Sequence, residues 1–180
     1  MTIELIPEFQ LDPSSKTQIA NLLKACFPEE EFHGRTYFKQ LPHYRLVMKE
    51  GELIVGQLGL DYRVMSLGGQ PINVLGVIDV TILPELQGQG LGTKLMKALG
   101  GMVSKYTDNV DFILLIAEKH QFYENCGYTL VKQKVKWLTI EEHINYGLQE
   151  NEFEDCIMIK QVGKKEWKEN AELDMFGYWY

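Results

Sequence analysis

The run Pro84-Glu85-Leu86-Gln87-Gly88-Gln89-Gly90-Leu91-Gly92-Thr93 lies between an apolar, β-like stretch and a stretch with helical spacing. A strand that turns through glycines into a helix makes an anion-binding device. The glycines let the backbone approach a ligand closely, and the first helical turn presents N–H groups with no partner of their own. The helix dipole adds partial positive charge at that end, which suits a phosphate or pyrophosphate. The spacing excludes two common phosphate motifs. A G-x-G-x-x-G fingerprint begun at Gly88 needs a glycine at 93, where Thr93 stands, and no G-x-x-x-x-G-K-[ST] string occurs. What fits is Gln87-x-x-Gly90-x-Gly92; the plain alternative is a glycine-rich turn without a ligand.

Outward from the loop, the chain reads as one α+β domain over residues 1–180. Thr2–Pro7 has strand character, and Pro13-Ser14-Ser15 supplies turn and N-cap chemistry for a helix through Ile19, Leu22, Leu23 and Phe27. A second short helix is expected over 35–40. Strands follow over 44–48 and 53–65, and the turn at Gly68-Gly69 sends the chain back into a strand over 72–83. After the loop, Leu91, Leu95, Leu99 and Met102 share a helix face. Gly100 and Gly101 weaken its end by roughly 1 kcal/mol each against alanine. Further strands are expected over 112–117, 129–137 and 156–162.

A chain of 180 residues, 45% hydrophobic and 24% charged, is long enough to bury a core. No apolar run approaches the ~18 residues of a membrane span, and Met1-Thr2-Ile3-Glu4 lacks the basic opening of a signal peptide. Three widely spaced cysteines, Cys26, Cys126 and Cys156, form neither a metal cluster nor a disulfide framework. Buried thiols in a reducing cytoplasm, and no metal, are the expectation. The net charge of −7 disfavours a nucleic-acid surface and suits a cationic substrate.

Downstream of the loop, Phe122-Tyr123-Glu124-Asn125-Cys126-Gly127-Tyr128 follows the apolar run Phe112-Ile113-Leu114-Leu115-Ile116-Ala117. Loop and signature together, in this order, resemble the GNAT superfamily of N-acetyltransferases. The resemblance implies a mixed central sheet with helices on both faces and a splayed strand pair that holds acetyl-CoA. It implies that Gln87, Gly88, Gln89, Gly90, Leu91, Gly92 and Thr93 cradle the pyrophosphate. Val80, Thr81 and Ile82 would pair with the pantetheine arm, with a strand N–H steadying the developing oxyanion. Tyr123 would return a proton to the departing thiolate; the alternative for Phe122 and Tyr123 is a pair of core aromatics on a short helix. Asp79 is the carboxylate on this strand and the first expectation for the base, acting through water as in some members of the family; the alternative is that it ends a ladder or meets a neighbouring side chain, and His120 is the second candidate. Lys94 and Lys97 read as solvated.

The long 53–83 hairpin and the aromatic tail are similar in layout to the aminoglycoside 2′-N-acetyltransferases. That resemblance implies that Glu154, Asp155, Asp174 and the terminal carboxylate of Tyr180 hold a polycationic amine. Two departures stand against it. The family's strand acid aligns with Ile78, whose face Asp79 does not share under regular alternation, and the 175–180 tail lacks the family's polar turn, so a tail merely docked on the core is the alternative. The expected partners are a small-molecule amine, no nucleic acid, no membrane, and a second copy of the chain as a homodimer. Two other functions stay open: a catalytically silent CoA-binding sensor, and an acetyltransferase for protein N-termini or lysines.

Overall fold

The computed structural model describes residues 1–180, which divide into two compact units: Met1–Asp61 with Ile78–Gly101, and Tyr62–Val77 with Met102–Tyr180. In the first unit, strands β1 (Thr2–Pro7) and β2 (Tyr44–Glu50) pair antiparallel, from Thr2 opposite Lys49 to Pro7 opposite Tyr44. β2 then pairs antiparallel with the early part of β3 (Leu53–Leu67). Helix α1 (Pro13–Cys26) takes in Pro13-Ser14-Ser15, expected as its turn and cap, and its cap is Asp12. Asp12 accepts from the Ser15 N–H (3.0 Å) and hydroxyl (2.7 Å), and Pro13 occupies the first turn. Its buried Ile19, Leu22 and Leu23 pack in one core with Val47 and Ile54. The unit also holds the end of β4 (Gln70–Ile82) and most of α2 (Leu91–Val103).

No helix forms over 35–40, contrary to the helical spacing. His33 and Gly34 have φ of 50° and 73°, which breaks any helix entering the segment, and Pro42 pushes Leu41 toward extended backbone. Tertiary demands take the rest: Phe38 packs edge-on to Phe32 at 5.9 Å, and Thr36 gives both its hydroxyl and its carbonyl to a buried polar network.

The second unit carries the end of β3, the start of β4, β5 (Phe112–Ile116), α3 (His120–Glu124), β6 (Thr129–Glu141), β7 (Ile144–Gln161) and β8 (Glu172–Tyr178). Neighbours run β4-β5-β7-β6-β8, and β8 also pairs with β3. The sheet is mixed: β4–β5 and β6–β8 are parallel, β5–β7 and β6–β7 antiparallel. The β4–β5 ladder runs from Val74 opposite Phe112 to Val77 opposite Leu115, whereas β4 continues to Ile82. Met65, Val74, Phe112, Leu114, Ile157, Leu173 and Met175 form the core.

The expected strands of this unit need correction. The strands read as 129–137 and 156–162 are the inner parts of one long hairpin, turned at Glu142 and His143, whose φ values are 43° and 63°. The part of β7 outside the expected strand carries charge in place of apolar alternation: Glu150 meets Lys134 at 3.3 Å and Glu152 meets Lys132 at 3.4 Å, both lysines lying on the expected 129–137 strand. The chain before the last residues adds a strand, β8, that is not among those expected; Leu173 and Met175 are buried in it. In α2 Leu95, Met96, Leu99 and Val103 are buried and Leu91 and Met102 half-buried, and Gly100 and Gly101 lie in its last turn.

Candidate active site

The segment from Gly88 to the start of α2 is built from backbone. Gly88 and Gly90 have φ of 75° and 79°, and a Cβ on either meets nothing within 4 Å, so the space above both is open. The N–H of Lys94 makes the first intrahelical bond, to the Gly90 carbonyl (3.0 Å), which leaves the amides before it for a ligand. Residues 87–90 are exposed, as are Lys94 and Lys97. Open space, left-handed glycines and the start of a thirteen-residue helix fit a diphosphate. Gln87 has a task within the protein. Its Nε2 donates to the Ile82 carbonyl (3.0 Å), which also accepts from the Cys26 thiol (3.2 Å), and so the loop is tied to the end of β4. Of the three residues expected to pair with a pantetheine arm, Ile82 therefore has an occupied carbonyl, and Thr81 is buried with its hydroxyl bonded to Gln57. Burial raises the Cys26 thiol above its ordinary value and keeps it a donor.

Asp79 stands in β4 with φ of 52°, a conformation that costs an L-residue about 1–2 kcal/mol, less for Asp than for most. This break in the strand removes the simple alternation with Ile78, which packs over Gly59, 2.7 Å from where its Cβ would be. Burial pushes the Asp79 carboxyl up to about 6, against the opposing pull of Arg45 and Lys39 and with a small push from Glu30. Burial lowers the Lys39 ammonium in turn, against the upward pull of Asp79 and Glu30. A carboxylate that titrates just below neutrality is poised for proton transfer. Three of these neighbours, Arg45, Lys39 and Glu30, come from β2 and the segment after α1; no local pattern in the sequence marks them.

Tyr123 lies on α3, half-buried, with its ring 4.8 Å from Phe122 and 6.0 Å from Tyr128. Burial holds its phenol at about 12, so it is fully protonated at neutral pH. The short helix closes through Gly127 (φ 84°), and Lys160 Nζ donates to the Cys126 carbonyl (2.8 Å). His120 Nε2 meets the Ala117 carbonyl at 3.1 Å; a carbonyl only accepts, so Nε2 carries the proton and Nδ1 alone is left to act as a base.

Two of the residues expected to hold the amine meet lysines of β6. Exposed Glu154 pairs with Lys132, and Asp174 faces Lys136 at 3.8 Å. Asp155 is exposed on β7. The Trp179 ring stacks on Phe153 at 4.4 Å, and Arg63 lies 4.4 Å and 4.7 Å from the ring centres of Tyr178 and Tyr180. The Tyr180 ring covers Gly76, where any Cβ would come within 2.0 Å of it. The rings of the aromatic tail thus pack within their own unit. A separate cavity of about 830 Å³ in the first unit is lined by Lys16, Arg35, Tyr37, His43 and Tyr44 among others; neither Asp79 nor the loop lines it.

Residues 10–131 match the family model described as "Acetyltransferase (GNAT) domain". No curated protein matches the chain. Among solved structures, it is similar to a GCN5-related N-acetyltransferase from Anabaena variabilis ATCC 29413 (TM-score 0.61, 19% identity), over 75% of this chain and 34% of that one. The chain thus spans about a third of the length of that protein. It is similar to an aminoglycoside 6′-N-acetyltransferase complexed with coenzyme A (TM-score 0.59, 14% identity, 92% and 99% covered). A GNAT family acetyltransferase from Brucella melitensis in complex with acetyl-CoA is similar too (TM-score 0.57, 15% identity, 94% of both chains). At these identities the likeness is one of fold.

Proposed function

Because the chain belongs to the GNAT acetyltransferase family, we propose that it moves an acetyl group from acetyl-CoA to the primary amine of a small polycationic molecule, such as an aminoglycoside. The observation that carries the reading is the loop. Left-handed Gly88 and Gly90 with open space above them, at the start of α2, make a diphosphate cradle on which the matched family's cosubstrate fits. A polycationic amine is supported by the net charge of −7 and by the fold-level likeness to an aminoglycoside 6′-N-acetyltransferase.

Each residue then has one role. The amides from Gly88 to Thr93 hold the diphosphate and so fix the thioester in place, which is the larger part of the catalysis. Asp79 takes a proton from the incoming ammonium, directly or through a water, and frees the lone pair that attacks the thioester carbonyl. A C–N bond forms and the C–S bond breaks. Tyr123 gives its phenolic proton to the leaving thiolate, the acylated nitrogen gives up its second proton to the tyrosinate or to water, and Asp79 returns its proton to solvent. Acetyl-CoA supplies the activated acyl group, and the protein supplies alignment and two proton transfers. Glu154, Asp155 and the Tyr180 carboxylate belong to the proposal as the acidic groups that draw the amine.

A thiol-release assay with acetyl-CoA over a panel of amines that includes aminoglycosides tests the reading. Thiol release dependent on a polyamine supports it. CoA binding with no release over the whole panel means a silent CoA-binding module, and release only with peptides means a protein acetyltransferase. In the active enzyme, Tyr123→Phe lowers kcat by about 10²–10⁴-fold and leaves acetyl-CoA affinity unchanged. Equal turnover in the two proteins removes Tyr123 from the mechanism.

A further inference from the structure

Behind Asp79 lies a buried polar line that the proposed mechanism does not use. Thr36 Oγ1 donates to Glu8 Oε1 (2.9 Å), and Arg45 Nε donates to the other carboxylate oxygen, Oε2 (2.6 Å). A second guanidinium nitrogen of Arg45 donates to the Thr36 carbonyl, and the third donates to Gln57 Oε1 (2.8 Å). Gln57 Nε2 donates to the Asp79 carbonyl (2.7 Å) and to Thr81 Oγ1 (3.1 Å). Arg45 and Gln57 have no exposed surface, and Glu8 is 6% exposed.

The direction of this line is fixed by chemistry. A guanidinium has donors and no acceptor, so the Gln57 amide must turn its oxygen toward Arg45. Its NH₂ is then aimed at β4, where the Asp79 carbonyl needs a donor. Asp79 has left the regular strand conformation at that residue, and a side-chain amide takes the carbonyl that the break leaves over. Buried ion pairs contribute little net stability, and an apolar set of the same volume fills a core as well. This set is unusual in ending on one strained residue, and that residue is the one read as the base.

We propose that Gln57, its amide turned by Arg45, is the positioning residue for Asp79: it holds the left-handed backbone at that residue and with it the placement of the carboxylate. The role rests on the reading of Asp79 as the base. The charged groups that face Asp79 are Arg45 on β2, and Lys39 and Glu30 on the segment after α1. All three remain when Gln57 is replaced, so a changed titration reports placement rather than lost charge.

The test is the volume-conserving variant Gln57→Met, read by carboxyl carbon NMR of Asp79 across pH and by kcat in the thiol-release assay. The Asp79 midpoint is expected to fall by about one pH unit as the carboxylate moves toward solvent, and kcat to fall about 10–100-fold at unchanged KM for acetyl-CoA. Thr81→Val removes the amide's second partner, keeps the shape, and lowers the midpoint in the same direction; it decides the matter if Gln57→Met does not fold. A folded Gln57→Met with the wild-type Asp79 midpoint and kcat overturns the proposal. So does an unmoved midpoint in Thr81→Val. If Asp79→Asn retains wild-type kcat, the base reading fails instead, while the NMR midpoints still judge the positioning on their own.

Discussion

The 87–93 loop and the surroundings of Asp79 are two ways of making a site. The loop is exposed and made of consecutive residues, and its chemistry is that of the backbone: amides, left-handed glycines and a helix start. The Asp79 site is buried and made of side chains, and its parts come from β1's end, the segment after α1, β2, β3 and β4. In the proposed function the first binds by shape and partial charge, and the second tunes one proton. A change in the loop should therefore appear as lost affinity, and one around Asp79 as lost turnover and a moved pH profile.

The largest expected effect tests the second half of that contrast. Asp79→Asn lowers kcat by about 10²–10⁴-fold and leaves CoA affinity by calorimetry unchanged. In the wild type, kcat/KM rises with pH through about 6 as Asp79 loses its proton, and this limb is absent from whatever activity the variant keeps. Stability moves the other way. The folded carboxyl titrates above its ordinary value of 3.8, so folding favours the protonated form. That contribution is complete below the unfolded value and is lost as pH rises through about 6. Asp79→Asn, neutral throughout, then melts higher than the wild type at pH 8, with the gap closing toward pH 4. A variant that loses CoA affinity in step with kcat breaks the separation between the two regions.

The same contrast explains what the sequence disclosed. Gln87, Gly88 and Gly90 could be placed because a strand, a glycine turn and a helix are neighbours in the chain, and spacing reports them. Strand β4 and the Tyr123 helix were legible for the same reason. Gln57, Arg45, Glu8 and Lys39 were not, since each lies in a stretch that reads as an ordinary strand or loop and only the tertiary fold brings them together. The helix expected over 35–40 failed for a related reason: Thr36 and Phe38 are placed by what they touch across the core rather than by local propensity. The part of β7 before residue 156 escaped because carboxylates such as Glu150 and Glu152, paired with lysines of β6, stand where apolar alternation would mark a strand.

A middle-sized effect is expected in the loop. Gly90→Val puts a β-branched residue at φ 79° and fills the open space above the turn. Such a backbone costs on the order of 1–3 kcal/mol, so CoA affinity falls by about 10–100-fold. The Asp79 titration stays where it was. Calorimetry with CoA decides it: unchanged affinity in a folded Gly90→Val shows that the diphosphate lies elsewhere, and the loop is then a plain turn.

The smallest effect concerns the side chain that ties the loop to the end of β4. Gln87→Ala removes the bond to the Ile82 carbonyl, an exchange usually worth about 0.5–1.5 kcal/mol and least at an exposed site. CoA affinity should fall only about two- to threefold, because the Cys26 thiol, held protonated by burial, still donates to the same carbonyl. Cys26→Ala alone should be similarly mild, since Gln87 remains. The double variant should not be the product of the two: with both donors gone the Ile82 carbonyl has lost its side-chain partners, and an unsatisfied buried acceptor costs about 1–3 kcal/mol. A double-mutant cycle on CoA affinity and melting temperature measures that excess. Strict additivity means that water replaces both donors, and the loop then depends on its backbone alone, which would draw the contrast with Asp79 more sharply still.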